Sequence, residues 1–66
     1  MGDNVDKIIG ILKDNFEYGL TLTELIAVSG FSYSEVINVL EKLEDKNILL
    51  VKSDGLSRVY NLKKIN

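Results

Sequence analysis

Residues 21–43, TLTELIAVSGFSYSEVINVLEKL, decide the fold of this 66-residue chain. Two capping boxes lie in this stretch, T-L-T-E at 21–24 and S-Y-S-E at 32–35. In a capping box the hydroxyl accepts a hydrogen bond from the backbone N–H three residues on, and the glutamate accepts one from the backbone N–H of the hydroxyl residue. Between the boxes, Gly30 can take the left-handed conformation that ends a helix. The stretch therefore predicts a short helix and a longer helix joined by a tight turn, a helix-turn-helix unit.

Apolar periodicity predicts one more helix before this unit and a β-hairpin after it. A stripe at helical spacing from Val5 to Phe16 predicts a first helix, and Gly19 ends that segment. Leu20-Thr21 then predicts a very short strand. After residue 47 the apolar period changes, and two runs rich in β-formers, Leu49–Ser53 and Arg58–Leu62, flank an Asp-Gly turn signal.

The predicted order is helix, short strand, helix, helix, strand, strand, which makes residues 1–66 a single α+β domain that is mainly α. The second helix is expected over Leu22–Ser29 and the third over Tyr33–Lys46. A two-stranded hairpin is not stable alone and must pack on the helices. The helix residues expected in the core are Val5, Ile8, Ile9, Leu12, Phe16, Leu22, Leu25, Ile26, Val36, Val39, Leu40 and Leu43.

Composition is typical of a small globular domain and excludes several kinds of site. The chain is 45% hydrophobic and 27% charged, unlike a disordered segment. It has no cysteine and no histidine, so we expect no enzyme activity, no metal and no cofactor. Apolar runs such as Ile48–Val51 are far too short to span a membrane, and the N-terminal MGDNVDK lacks a signal peptide's apolar stretch, so we expect a cytoplasmic protein.

Charge is distributed unevenly along the chain. The net charge is −2, which is not that of a simple basic nucleic-acid binder. Residues 1–45 carry three basic side chains against nine acids, a balance of −6. Residues 46–66 carry five basic side chains against one acid, a balance of +4. The basic residues of the predicted hairpin and tail are Lys52, Arg58, Lys63 and Lys64.

Five short motifs, in this order, resemble the winged helix-turn-helix domains of bacterial and archaeal transcription regulators. They are L-T-x-x-E-L at 20–25, S-G-F-S at 29–32, V-x-x-V-L-x-x-L at 36–43, N-I-L-L at 47–50 and R-V-Y-x-L at 58–62. The resemblance implies a three-helix winged helix-turn-helix with a two-stranded wing. Asn47 stands where such domains commonly have glycine, and asparagine tolerates the left-handed conformation.

The resemblance also implies a DNA-binding surface. In such regulators the third helix enters the major groove by its N-terminal half, and the wing lies along the backbone or in the minor groove. The implied contacts are Ser32, Tyr33, Ser34, Ile37 and Asn38 from the third helix, and Lys52, Ser57 and Arg58 from the wing. Taken by itself, Ser32 is better explained as a helix cap and Tyr33 as an aromatic at the edge of the core. Asn38 is either a base-reading amide or a solvated polar residue.

Two functions follow as expectations. The first is a sequence-specific DNA-binding domain that acts as a transcriptional regulator on double-stranded DNA. The alternative is a winged-helix module for protein–protein interaction within a larger assembly. Ile11, Ile37 and Leu56 are expected to be exposed, and the run at 48–51 has apolar residues on both faces of a strand. Several such residues together indicate self-association, most simply a homodimer, or a protein partner.

Overall fold

A computed structural model of the protein describes residues 3–63, apart from the side chains of Asp3 and Asp54. The domain has three helices and a three-stranded antiparallel sheet, which confirms the α+β class. None of the helices within residues 3–63 is long and apolar enough to cross a membrane. The elements are α1 (Asp3–Asp14), β1 (Leu20–Thr21), α2 (Leu22–Ser29), α3 (Tyr33–Asp45), β2 (Leu49–Asp54) and β3 (Ser57–Leu62).

Both predicted capping boxes are present. The Glu24 N–H donates to the Thr21 hydroxyl at 3.2 Å, and the Thr21 N–H donates to the Glu24 carboxylate at 2.8 Å. Ser32 and Glu35 make the same two bonds at 3.2 and 2.8 Å. Gly30 ends α2 in the left-handed conformation, with φ 76°. Local sequence therefore sets the start of α2 and α3 and the end of α2, as predicted, while α3 ends at Asp45, one residue earlier than expected.

Ser29 makes the turn between α2 and α3 rigid, a role the sequence did not indicate. Its side chain is 3% exposed. Its hydroxyl donates to the Ile26 carbonyl at 3.4 Å and accepts from the Phe31 N–H at 3.1 Å. Because both bonds join atoms of the turn, the hydroxyl replaces backbone partners that the helix end leaves unpaired. Phe31 also lies under the Lys7 ammonium of α1, 5.1 Å from the ring centroid.

The core forms where the three helices meet one face of the sheet. Its buried residues are Ile8, Leu12, Leu20, Leu25, Val36, Val39, Leu40, Leu43, Leu49 and Leu62. The predicted stripe of α3 is confirmed in full. The predictions for Val5, Ile9, Leu22 and Ile26 were too strong, because all four are only partly buried against the core. Ile11 is also partly buried against the core.

The prediction for Phe16 was wrong. Helix α1 ends at Asp14, so Phe16 lies in the following turn, where it is 38% exposed. The Asn15 amide side chain donates to the Ile11 carbonyl at 2.8 Å, and the Asn15 N–H donates to the same carbonyl at 3.2 Å. The Gly19 N–H then donates a hydrogen bond to the Asn15 carbonyl at 2.7 Å, which closes the turn. This turn carries Phe16 off the apolar stripe.

The sheet contains one more pairing than the sequence predicted. The hairpin forms as expected, with each strand one residue longer, and Asn47 has the left-handed φ of 62° that was foreseen for it. In addition, β1 pairs with β3, with Leu20 opposite Tyr60 and Thr21 opposite Val59. The strand order is β1-β3-β2, so β3 is the middle strand.

Gly19 allows β1 to approach β3. Its φ is 76°, and a Cβ at this position would lie 2.6 Å from the Val59 Cγ1 and 2.9 Å from the Tyr60 carbonyl oxygen. Neither distance leaves room for a side chain, and the second neighbour is backbone that cannot rotate away. Both the conformation and the close contact therefore require glycine here.

Gly19→Ala should lower the free energy of unfolding by about 3 kcal/mol, because a clash with β3 adds to the left-handed penalty. The matched control is Gly30→Ala, since Gly30 has the same φ of 76° but nothing within 4 Å of the added Cβ. The control should lose about 1 kcal/mol. Urea unfolding followed by circular dichroism measures both, and equal losses would contradict the close contact.

Ser29→Ala should lower the free energy of unfolding by about 1–2 kcal/mol, because the Phe31 N–H loses its acceptor in a partly buried turn. Ser34→Ala is the control, since Ser34 is exposed on α3. It should change stability by less than about 0.5 kcal/mol. Thermal unfolding of the two variants side by side tests the difference, and a neutral Ser29→Ala would show that the hydroxyl is dispensable.

Candidate nucleic-acid interface

The outward side of α3 begins with polar and aromatic side chains. Burial of the apolar stripe on one side of the helix leaves Ser32, Tyr33, Ser34 and Asn38 exposed, and Tyr33 is 62% exposed. Tyr33 therefore lies outside the core rather than at its edge. Ile37, which lies between these residues and the stripe, is half-buried. The first two turns of α3 thus present one continuous exposed surface.

Charge divides α3 into two halves. In the first half the acid is Glu35, whose carboxylate is held by the Ser32 N–H in the capping box. The second half carries Glu41, Glu44 and Asp45 around Lys42, all of them exposed. The unpaired N–H groups at the start of α3 also give that end a partial positive charge. The N-terminal half is therefore the end that could accept an anionic ligand.

A groove of about 210 Å³ lies between α3 and the hairpin. It brings Ile37 of α3 and Arg58 of β3 to the same concavity, although 20 residues separate them in the chain. The groove also contains two glutamates from the second half of α3. Its lining residues are Ile37, Leu40, Glu41, Glu44, Leu49, Val51, Arg58 and Tyr60.

The two basic residues predicted for the wing lie on opposite faces of the hairpin. Ser53 is opposite Arg58 in the ladder, and Lys52 is opposite Val59. Since successive side chains of a strand point to opposite faces, Arg58 shares the face of α3 and Lys52 points away from it. The sequence placed both residues in one wing but could not place them on its faces.

Lys52 belongs to a concavity on the outer face of the sheet. The Phe16–Gly19 turn borders this face, because the Asn61 amide donates to the Phe16 carbonyl at 2.6 Å. Tyr18 projects from the turn and is 82% exposed. The outer concavity is lined by Phe16, Glu17, Tyr18, Leu50, Lys52, Val59, Asn61, Leu62 and Lys63. Lys64, also counted with the basic tail, lies outside the described residues.

The tip of the hairpin lies beside the start of α2. Leu56 is fully exposed there. Ser57 and Arg58 share a shallow concavity with residues 21–23, which include the cap and first turn of α2. Arg58 therefore contacts two neighbouring concavities, one beside α3 and one beside α2.

The structure thus brings together part of the predicted site. Ile37 and Arg58 meet at the groove, and Ser57 lies next to Arg58 at the hairpin tip. Sequence reasoning missed that Glu41 and Glu44 line the same groove as these residues. The available signal was helical spacing, because positions i, i+4 and i+7 from Ile37 fall on one side of a helix.

Comparisons with known proteins identify no relative of this chain. No protein-family model matches the chain, and no curated protein and no solved structure matches it either.

Proposed function

We propose that this domain is a winged helix-turn-helix DNA-binding domain that acts in transcriptional regulation. The observation that carries the proposal is the exposed N-terminal half of α3, flanked on the same side of the molecule by Arg58 of the hairpin. The element order and the hairpin adjoining α3 agree with that architecture. The +4 balance of residues 46–66 supplies the positive charge that phosphates require.

In this proposal the first two turns of α3 enter the major groove. Asn38 is the base reader, because its amide can bond to N6 and N7 of adenine at once. Ser34 offers a hydroxyl to either a base or a phosphate, and Tyr33 offers a ring and a hydroxyl from an exposed position. The hydroxyl of Ser32 accepts from the Glu35 N–H. We therefore assign Ser32 to capping, and its place at the helix start positions the N–H groups that can meet a phosphate.

The hairpin would hold the DNA backbone from two sides. Arg58, on the face of α3, is placed to contact the phosphates nearest to the recognition helix, and Ser57 at the tip adds a hydroxyl. Lys52, on the outer face, is placed to contact a different set of phosphates. A hairpin that meets the backbone by its tip offers side chains from both faces, so their separation is compatible with one wing.

The acids of the second half of α3 constrain the docking. Glu41 and Glu44 line the groove beside Arg58, and carboxylates close to phosphates would weaken binding. The helix must therefore enter the DNA by its N-terminal end, with its C-terminal half directed away from the backbone. This tilt also leaves Ile37 at the boundary between DNA and groove.

A second candidate is a winged-helix module that binds protein rather than DNA. The groove favours it, because Ile37, Val51 and Tyr60 are apolar surfaces beside two carboxylates. Leu56 adds a fully exposed aliphatic side chain at the hairpin tip. In this candidate Arg58 pairs with an acidic group of a partner.

Replacing Arg58 or Lys52 by alanine should weaken binding to a mixed-sequence duplex and lower the salt slope of log K by about 1 for each residue. Lys13→Ala is the control of equal charge, because Lys13 lies at the end of α1 and outside the three concavities described above. It should leave the slope unchanged. Fluorescence anisotropy over a salt series measures all three, and equal effects would indicate only nonspecific attraction.

Titration of the wild-type protein with a duplex separates the two candidates, and Ile37→Asp tests the surface that would contact the DNA. Under the DNA-binding proposal, amide NMR shifts on addition of duplex should cluster in residues 32–38 and at the hairpin and should fade as salt rises. The aspartate should then reduce DNA affinity strongly by repelling phosphates. A wild-type spectrum that does not change with duplex even at low salt would refute DNA binding and favour the protein-binding module.

A further inference from the structure

Strand β2 is an edge of the sheet. It runs for six residues, Leu49–Asp54, and it has β3 on one side and no described strand on the other. An edge strand of this length presents unpaired backbone N–H and C=O groups to another chain. Natural edges are commonly protected by charged side chains, by proline or by a bulge, and the charged residues of β2 are Lys52 and Asp54. The ladder to β3 is regular from end to end, and the protein has no proline.

The hydrogen-bond pattern shows which backbone groups point outward. The Lys63 N–H donates to the Ile48 carbonyl at 2.9 Å, so residue 48 directs its carbonyl toward β3. In an antiparallel ladder this direction alternates, so residues 50, 52 and 54 also bond to β3. Leu49, Val51 and Ser53 therefore direct their N–H and C=O groups to the free edge.

We propose that β2 pairs antiparallel with β2 of a second copy of this chain, with Val51 opposite Val51 of the partner subunit. The pairing would join the two sheets into one and satisfy the outward backbone groups of both edges. It would also cover Val51, which is 39% exposed, and the half-buried Leu50 beside it. The inference stands apart from DNA binding, because no contact with DNA enters it.

Hydrogen-bond direction and charge select this register. A symmetric pair must match outward-pointing residues with each other, so its centre must fall on a residue, and only residues 51 and 52 as centres pair five positions of the strand. Centring on Lys52 would place two like charges directly opposite each other, which is destabilising. Centring on residue 50 would pair only 49–51, whereas centring on Val51 pairs 49–53 of the six-residue strand.

Charge complementarity on the helix face favours the same arrangement. Ser53 would lie opposite Leu49 of the partner subunit, and Arg58 is the neighbour of Ser53 in the ladder. Leu49 shares its groove with Glu44 at the acidic end of α3. The pairing therefore brings the acidic end of one α3 toward Arg58 of the other copy. Because the pair is symmetric, this attraction occurs twice in the dimer. On the outer face, Lys52 would lie over Leu50 of the partner subunit and cover it with its aliphatic stem.

Single-cysteine variants test the register, because the natural chain contains no cysteine. Cα atoms of residues directly opposite in an antiparallel pair are about 4.5–5.5 Å apart, which suits a disulfide. Under mild oxidation Val51→Cys should form a disulfide-linked dimer at least tenfold faster than Leu50→Cys or Lys52→Cys alone. An equal mixture of the last two should cross-link, since residue 50 faces residue 52 in this register.

Several results would overturn the proposal. If Leu50→Cys or Lys52→Cys formed the disulfide-linked dimer faster than Val51→Cys, the strands would pair in another register. Rates for Val51→Cys that match those measured in denaturing urea would mean random collision and no pairing. Each oxidised sample is read by mass spectrometry, and the reduced variants are checked by circular dichroism so that unfolding is not mistaken for lost pairing.

Sedimentation equilibrium provides a second, independent measurement. Val51→Lys would place two ammonium groups opposite each other and should weaken dimerisation at least tenfold. Leu56→Lys makes the same chemical change on the fully exposed hairpin tip and should leave the dimer unchanged. A wild-type protein that stays monomeric at millimolar concentration, or two variants with equal effects, would refute the β2 pairing. A wild-type protein that dimerises but does not bind DNA would refute the proposed function and leave the β2 pairing standing.

Discussion

The pairing of β1 with β3 is the constraint on which the rest of the structure depends. It joins Leu20 and Thr21 to Tyr60 and Val59, about forty residues later in the chain. The contact is possible because Gly19, at φ 76°, has no side chain to meet β3. Once β3 is held there, β2 follows through the hairpin and the inner face of the sheet closes over the helices. The hairpin is therefore a fixed part of the domain, with a defined side next to α3.

Helix α3 combines structural and candidate functional roles by separating them around its axis. Its inward stripe contributes Val36, Val39, Leu40 and Leu43 to the core. The capping box uses the charge of Glu35 locally, so the exposed first half is left with neutral polar groups. The acids fall in the second half, where they line the groove beside Arg58. Under the two proposals, DNA would contact one end of this helix and a protein partner the other.

The two proposals assign the hairpin two roles, DNA binding and dimerisation. DNA would be held by side chains, with Arg58 on one face and Lys52 on the other. A second copy would be held mainly by the backbone of the β2 edge, whose outward groups are those of residues 49, 51 and 53. The two uses share two side chains: Lys52, which would also cover Leu50 of the partner subunit, and Arg58, which faces both the groove and the hairpin tip. If Arg58 pairs with an acidic residue of the partner subunit, it is no longer free to contact a phosphate. Dimerisation and DNA affinity would then be coupled.

Sequence by itself determined the local elements of this protein. Capping boxes, a left-handed glycine, Asn47 and apolar spacing act over a few residues, so the helices, the hairpin and most of the core could be predicted from them. Their exposed surfaces could be predicted less well, and Phe16 was misplaced because α1 ends at Asp14 and Phe16 lies in the turn that follows.

Tertiary structure alone decided the pairing of β1, the faces of the hairpin and the make-up of the groove. A two-residue strand carries too little local preference to specify its partner, so β1 pairs where Gly19 and the packed helices bring it. Period-two alternation puts Lys52 and Arg58 on opposite faces, but only the packing of the sheet on the helices decides which face meets α3. Glu44 and Arg58 line one groove although they are far apart in the chain, and only the formed core brings them there.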